Sequence, residues 1–333
     1  MTTRVAAIDC GTNSIRLLIA DLATQSDRSE RGPGDTGHPH PAPAPLTDLT
    51  RQMRIVRLGE GVDRTGRLAE AALDRTMTAL REYAGLIADA RPAAVKMVAT
   101  SATRDATNAQ EFTDRVVDIL GVAPEVITGD EEAWLSFTGA TRELAGPPLA
   151  AAGACPPPYL VADIGGGSTE FVLGGPDGVA GARSVNIGCV RLTERHLHDD
   201  PPLAAQAEAT VKDIDAALDL AAAAVPGEQA ATLVGLAGSV TTVAGIALGL
   251  EAYDPDRIHH SRITRAEVHE IAGRLLGMTR AERAAIPVMH PGRVDVIGAG
   301  ALILDRIMTR FGFAEVLVSE HDILDGIAWS LVP

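Results

Sequence analysis

Short apolar runs alternate with polar, glycine-bearing turns from the start of the chain. Val5-Ala6-Ala7-Ile8 has the length and composition of a buried strand, Asp9-Cys10-Gly11-Thr12-Asn13-Ser14 is turn chemistry, and an apolar run resumes over residues 15–20. Together these segments predict a β-hairpin with a polar tip. The same order returns further on: an apolar run over 159–162, then Asp163-Ile164-Gly165-Gly166-Gly167-Ser168-Thr169, then a second run over 170–173. A repeat at so long a spacing predicts two related domains, not a solenoid.

Between the hairpins the pattern predicts a strand over 53–58 and a long helix over 68–90 with Leu68, Ala72, Leu73, Leu80 and Ile87 on one face. A strand over 95–100 follows. Asn108 with Glu111 three residues on marks a helix start leading into 112–120, and a short strand over 125–128 precedes a helix capped by Asp130 and running to 144. Beyond the second hairpin the chain is more helical. Helices are predicted over 204–225 and 294–310, the latter closed by Gly312, with capping boxes at Thr264/Glu267 and Thr279/Glu282. Strands are predicted over 233–236 and 315–318, and a last helix over 322–331. Two stretches break the pattern. Residues 25–45 hold five prolines and three glycines and predict a disordered loop insertion; the Pro/Gly/Ala-rich stretch 146–158 predicts a connector.

Hydrophobic residues make up 46% of the chain but aromatic ones only 3%, so the core must be built from Ala, Val, Leu and Ile, which suits helices packed on sheets. A net charge of −15 argues against a nucleic-acid partner. An anionic substrate then requires a confined site made positive by backbone N–H groups, a few arginines and a bound divalent cation. No apolar run approaches a membrane span, and no signal-like segment opens the chain. Cys10, Cys155 and Cys189 are scattered without metal-site spacing, so a reducing cytoplasm is the expected location.

The hairpin tips carry the chemistry. Glycine lets backbone N–H groups turn inward and cradle phosphate oxygens. Thr12, Asn13, Ser14 and Ser168 add side-chain donors, and Asp9 and Asp163 at the strand ends suit Mg²⁺, held directly or through water. One such hairpin is an ordinary turn; two favour a phosphate site. A third element, Gly235-Leu236-Ala237-Gly238-Ser239, runs from a strand into a helix N-terminus, where free N–H groups suit an anion.

The ordered set of segments closely resembles the exopolyphosphatase / guanosine pentaphosphate phosphohydrolase (Ppx/GppA) family. It comprises Ala7–Ser14, Arg57-Leu58-Gly59-Glu60-Gly61-Val62, Ala99-Thr100-Ser101-Ala102-Thr103-Arg104-Asp105-Ala106-Thr107-Asn108, Thr128-Gly129-Asp130-Glu131-Glu132-Ala133, Asp163–Glu170 and Gly188-Cys189-Val190. Sugar kinases and Hsp70-like ATPases share the Asp-Gly hairpins but not the Glu-Glu-Ala helix start or the Ser-Ala-Thr-Arg segment.

The resemblance implies an α/β protein of two ribonuclease-H-like domains (the actin/Hsp70/sugar-kinase superfamily) with an interdomain cleft. It places one domain at 1–128 plus 312–333 and the other at 129–311. It implies a catalytic glutamate at Glu132, although a helix N-terminus favours the ionised form and suits water positioning better than strong proton abstraction. By family position Arg104 reaches the cleft to bind phosphate, with Gly11, Gly165, Gly166, Gly167, Gly238 and Ser239 supplying further contacts. Arg16 and Arg57 are weaker candidates that face solvent equally well, Glu320 reads as structural, and the histidines form no metal-ligand pattern.

The expected reaction is removal of terminal phosphate from inorganic polyphosphate. Guanosine pentaphosphate 5′-phosphohydrolase is the alternative substrate reading, and a small-metabolite kinase or a non-catalytic polyphosphate sensor are readings of other classes. The length matches short family members, longer ones carrying an additional C-terminal helical domain. A homodimer stays open.

Overall fold

The computed structural model describes residues 2–23, 46–144 and 155–331. The expected insertion at 25–45 and most of the connector at 146–158 lie outside these residues. Two mixed sheets organise the molecule. The first contains β1 (Thr2–Cys10), β2 (Ser14–Ala23), β3 (Leu46–Ile55), β4 (Ala94–Ala99) and β5 (Glu125–Val126) in the order β3-β2-β1-β4-β5. β2 runs antiparallel to β1 and β3, while β4 runs parallel to β1 and β5 parallel to β4.

The second sheet holds β6 (Tyr159–Ile164), β7 (Thr169–Gly175), β8 (Gly178–Val185), β9 (Thr232–Leu236), β10 (Arg262–Thr264) and β11 (Glu315–Val318), ordered β10-β11-β9-β6-β7-β8. Read from the other edge, β8-β7-β6-β9-β11 repeats the first sheet's order and directions, with β10 added at the rim. This doubled topology is the two-domain ribonuclease-H-like architecture. In each half β1 or β6 is the central strand, and its C-terminal end carries Asp9 or Asp163.

Helices cover the sheets: α1 (Glu70–Ala90), α2 (Ala109–Leu120), α3 (Gly129–Thr141), α4 (Cys189–His196), α5 (Ala204–Ala224), α6 (Ala237–Ala247), α7 (Arg265–Gly277), α8 (Ile297–Phe311) and α9 (Ile323–Ser330). The expected segments recur with shifts of a few residues. The 53–58 strand is earlier and longer than expected, and the boxes at Thr264 and Thr279 both form. Gly312 closes α8 at φ +79°, a left-handed conformation that favours glycine.

Two expectations are corrected. Asp130 does not cap α3. Thr128 does, because only Thr128 has a glutamate three residues on, Glu131, whose carboxylate accepts the Thr128 N–H at 2.8 Å while the Thr128 hydroxyl accepts the Glu131 N–H at 3.2 Å. The segment after Gly312 does not return whole to the first half either. β11 sits inside the second sheet, between β10 and β9, and only α9 packs back on β1 and β2. Strand partners are non-local, so the apolar run 315–318 carries no mark of which sheet it joins.

α3 is the element that positions the site. Leu135 packs with Leu324 and Ile327 of α9 over the first sheet, while Ala133 and Phe137 pack with Val161 and Val172 of the second. The α3–α9 crossing leaves no room for a side chain. A Cβ on Gly139 would lie 1.8 Å from the Asp322 carbonyl oxygen, and one on Gly326 would lie 2.1 Å from that of Leu135. Backbone cannot swing aside as a side chain tip does, so Gly139→Ala is expected to destabilise by more than the ~1–3 kcal/mol of ordinary overpacking. A clear drop in the urea midpoint checks this; an unchanged midpoint refutes the crossing. Among the described residues, no helix is long and apolar enough to cross a membrane.

Candidate active site

The tips of β1–β2 and β6–β7 meet across the cleft. A Cβ on Gly166 would come 3.0 Å from Thr12 Cβ, and one on Gly167 would come 2.6 Å from Ser101 Oγ and 2.7 Å from Thr12 Oγ1, so the glycines permit the approach. The Thr12 and Ser101 hydroxyls are themselves bonded at 2.8 Å. Both loops are tied back by their carbonyls. Val56 and Arg57 N–H donate to the Asn13 carbonyl at 3.0 and 2.9 Å, and Gly59 N–H to that of Thr12 at 2.9 Å. On the other side Cys189 N–H donates to the Gly165 carbonyl at 3.0 Å, and Val190 and Arg191 N–H to that of Gly166 at 2.9 and 3.1 Å. With their carbonyls engaged from behind, the loops are left to offer N–H groups to an anion. The free N–H groups of the α4 N-terminus are spent on this bracing.

The cleft holds about 100 Å³ of water-sized room and is lined by Asp9, Gly11, Thr12, Asn13, Ser14, Glu132, Asp163, Gly165, Gly166, Ser168, Gly238 and Ser239, with Arg16 and Arg293 among its other walls. The expected site residues therefore converge, with two exceptions. Gly167 lies at the loop contact just behind. The Arg104 guanidinium arrives from the outer side and is already engaged, donating through Nη1 to the Ile127 carbonyl at 2.9 Å and to Glu132 Oε2 at 3.2 Å. The third element is held in the left-handed region at Ala237, φ +68°, a strained conformation at the cleft wall. Behind it the Arg293 guanidinium lies so close that a Cβ on Gly238 would meet it at 2.3 Å. Ser239 is buried, and a Cβ on Gly300 would meet its hydroxyl at 2.2 Å.

Acidic groups crowd this space. Asp9 accepts Arg16 Nε and Nη2 at 2.9 and 2.7 Å, both on Oδ2; Arg16 also pairs with Asp322. Asp163 Oδ2 accepts the Ser136 hydroxyl at 2.6 Å, and Glu170 Oε1 that of Ser184 at 2.7 Å. Burial pushes the Asp163 carboxyl up to about 6, helped by Asp322, and the Glu170 carboxyl up to about 7, helped by Asp163. Burial likewise raises Asp9 against the pull of Arg16.

The adjacent glutamates of α3 part ways. Exposed Glu131, bonded to the Thr128 N–H and hydroxyl, is held below the usual carboxylate range. Glu132, 8% exposed, is raised well above it by burial and by Glu170, with Arg104 opposing. Burial thus acts against the ionised form that the helix N-terminus favours.

Glu170, Arg293, Ser136 and Ser184 are site residues that sequence reasoning did not single out, and Arg16, a weaker candidate there, joins them. Arg16 does not face solvent: β2 turns it between two buried aspartates. Arg57 stays part-exposed, its Nη2 reaching Asp295 at 2.7 Å. Glu320 accepts the Tyr253 hydroxyl at 2.5 Å.

The donor set fits a divalent cation. Asp9 Oδ1 and Asn13 Oδ1 are buried oxygens with no hydrogen-bond donor among the described residues. Hard oxygen acceptors amid unneutralised carboxyls are what Mg²⁺ takes, keeping water in its other positions.

The histidines do gather, contrary to expectation, away from this cleft. His259 Nε2 and His321 Nδ1 lie 3.5 and 3.1 Å from Glu143 Oε2. His259 Nδ1 accepts the Glu320 N–H at 3.1 Å, which leaves the ring's proton on Nε2 facing Glu143. A metal-bound histidine has the opposite arrangement, donating from its outer nitrogen. Both rings hold the Glu143 carboxyl below the usual carboxylate range.

Residues 37–333 match the model of the Ppx/GppA phosphatase family. The chain is 49% identical to Exopolyphosphatase 2 of Mycobacterium tuberculosis, over 99% of this chain and 98% of that one. Among solved structures, an exopolyphosphatase-like protein superimposes with a TM-score of 0.89 at 40% identity, covering 99% of this chain and 98% of that one. The Aquifex aeolicus Ppx/GppA family member gives 0.74 at 30% identity, covering 99% and 98%. With the family model matched over most of its length, a matching fold, doubled Asp-Gly loops and a buried glutamate beside them, the chain belongs to the Ppx/GppA phosphatase family.

Proposed function

We propose that the chain is an exopolyphosphatase that hydrolyses the terminal phosphoanhydride of inorganic polyphosphate, working in the cytoplasm with Mg²⁺. One observation carries this reading. A buried carboxyl of raised proton affinity, Glu132, faces a narrow cleft whose other walls are two braced glycine loops. A relative 49% identical bears the exopolyphosphatase name, and the free cysteines Cys10, Cys155 and Cys189 suit a reducing compartment.

Asp9 and Asp163 would hold the cation, which supplies charge neutralisation for the phosphate oxygens. The loops and Ser168 grip the terminal phosphate through N–H and O–H donors. Glu132 orients a water behind the phosphorus and takes its proton. The new P–O bond forms as the bridging P–O bond breaks, and the shortened chain leaves as an oxyanion that needs no proton. Burial raises both Glu132 and Glu170, helped by Glu170 at Glu132 and by Asp163 at Glu170. Arg104 pulls Glu132 back toward its ionised form.

Guanosine pentaphosphate is the second reading. A side cavity of about 450 Å³ opens beside the cleft, shares Arg16, Gly238 and Arg293 with it, and is lined by Met53, Tyr253, Val288 and Met289. Its apolar walls suit a nucleobase, and its arginines suit either substrate. Phosphate release from short polyphosphate, long polyphosphate and guanosine pentaphosphate, with and without Mg²⁺, tests both. Release from polyphosphate is expected to be fastest and to stop with chelator. No release from any polyphosphate sinks the proposal, and faster release from the nucleotide replaces it with the second reading.

A further inference from the structure

The braces behind the two phosphate loops touch each other. Behind the first loop is the segment from Val56 to the short helix Val62–Thr65; behind the second is the N-terminal turn of α4. Arg191, Glu194 and Arg195 stand at i, i+3 and i+4 on one face of α4. Arg191 pairs with Asp63 through Nη1 and with Asp105 through Nη2 at 2.6 Å, while Arg195 Nη2 reaches Asp63 Oδ1 at 3.0 Å. Glu194 accepts the Gly61 N–H on both oxygens at 3.1 Å. Arg191 does one thing more, donating from Nε to the Gly167 carbonyl at 2.7 Å. Its side chain is 11% exposed.

We propose that this face of α4 is a latch between the two halves of the site, and that Arg191 is a positioning residue that seats the second phosphate loop only when Asp63 and Asp105 are within reach. A guanidinium is planar, and its donors point in fixed directions. Here one edge serves the residue's own loop and the two terminal nitrogens serve carboxylates from the opposite half. Substrate must enter with the halves apart, and then both carboxylates withdraw and nothing orients the fork on Gly167. Closure therefore restores a donor to the Gly167 carbonyl at the moment the loop is needed. Lysine, a single point charge, can keep an ion pair but cannot serve three acceptors in a plane.

The kinetic arm rests on the phosphatase reading; the scattering arm does not. Steady-state phosphate release from inorganic tripolyphosphate is compared for the full chain and its Arg195→Ala, Arg191→Ala and Arg191→Lys variants. Arg195→Ala removes the Asp63 contact and, within its own half, the Asp213 pair at 2.6 Å, but leaves the Gly167 brace in place, and is expected to raise KM about tenfold with kcat held within about twofold, as when the competent population falls. Arg191→Ala is expected to raise KM similarly and also to lower kcat at least about tenfold through the misplaced loop. Arg191→Lys is expected to recover KM but not kcat.

Without substrate, small-angle X-ray scattering should give a larger radius of gyration for Arg191→Ala than for the parent. Salt near ~1 M should expand the parent and leave that variant unchanged. A kcat for Arg191→Ala equal to the parent's overturns the loop seating, and an unchanged radius overturns the latch. A parent that releases no phosphate overturns the functional reading, and scattering still decides the latch.

Discussion

Glu132→Gln is expected to slow phosphate release by about 10²–10⁴-fold, the range for removing a positioned general base. The amide keeps the volume and can still accept Arg104 Nη1, so the fold and the α3 packing should survive. What is lost is the ability to take a proton from the attacking water. The neighbouring Glu131→Gln is the control. Its carboxylate is exposed and serves the Thr128 cap, so it should leave kcat within a fewfold. The acid side of the pH–rate profile follows from the same burial. A base works only when ionised, and Glu132 holds its proton well above the usual range, so the rate should climb as pH rises through that elevated value. Arg104→Met removes a cation that holds that value down, and the climb should move to higher pH. Parent-like release by Glu132→Gln would remove Glu132 from the chemistry, whatever the profile shows.

What could be read from the chain, and what could not, divides by range of interaction. The two hairpins are local: a strand, an Asp, a glycine turn and a strand carry their own instructions, and β1–β2 and β6–β7 formed with Asp9 and Asp163 in matching places. Glu132 was legible through its family motif, but its altered proton affinity was not, because that comes from Glu170 on another element and from the closure of two sheets around α3. Glu170 did leave a signal that went unused. It lies in β7, where the residues from Thr169 to Gly174 are all buried, and a carboxylate in such a run needs partners or a task. Arg16 left only a weak one. The hairpin register sets it opposite Asp9, but its second aspartate, Asp322, comes from the distant cap of α9. The misplaced β11 has the same origin, since register and sheet membership depend on residues far off in sequence.

In chelator, the protein is expected to lose stability as pH rises from about 5 to 8, and Mg²⁺ should restore it. Asp163, pushed up to about 6, and Glu170, to about 7, drive this trend, and the raised Asp9 and Glu132 act in the same direction. Unfolding returns them to ordinary carboxylate values near ~4. Between the ordinary and the raised values the folded chain binds protons that the unfolded chain has released, so each increment of pH favours unfolding. Their contribution is complete below the ordinary value and gone above the raised one, and for Asp163 and for Glu170 it comes to roughly 3 kcal/mol at ~1.4 kcal/mol per unit. A cation bound between Asp9 and Asp163 favours the ionised forms and stabilises the fold by mass action, so its effect should be greatest at the alkaline end. Urea midpoints at pH 5 and pH 8, with chelator and with Mg²⁺, measure all of this. Glu170→Gln supplies the internal check. Its amide does not titrate, so the variant should lose a clear part of the pH-dependent drop while keeping a response to Mg²⁺. A variant with the parent's full drop would mean that Glu170 is ionised in the folded chain. A parent equally stable at both pH values would mean that the cleft already satisfies its carboxylates, and that no cation is required to hold Asp9 and Asp163 together.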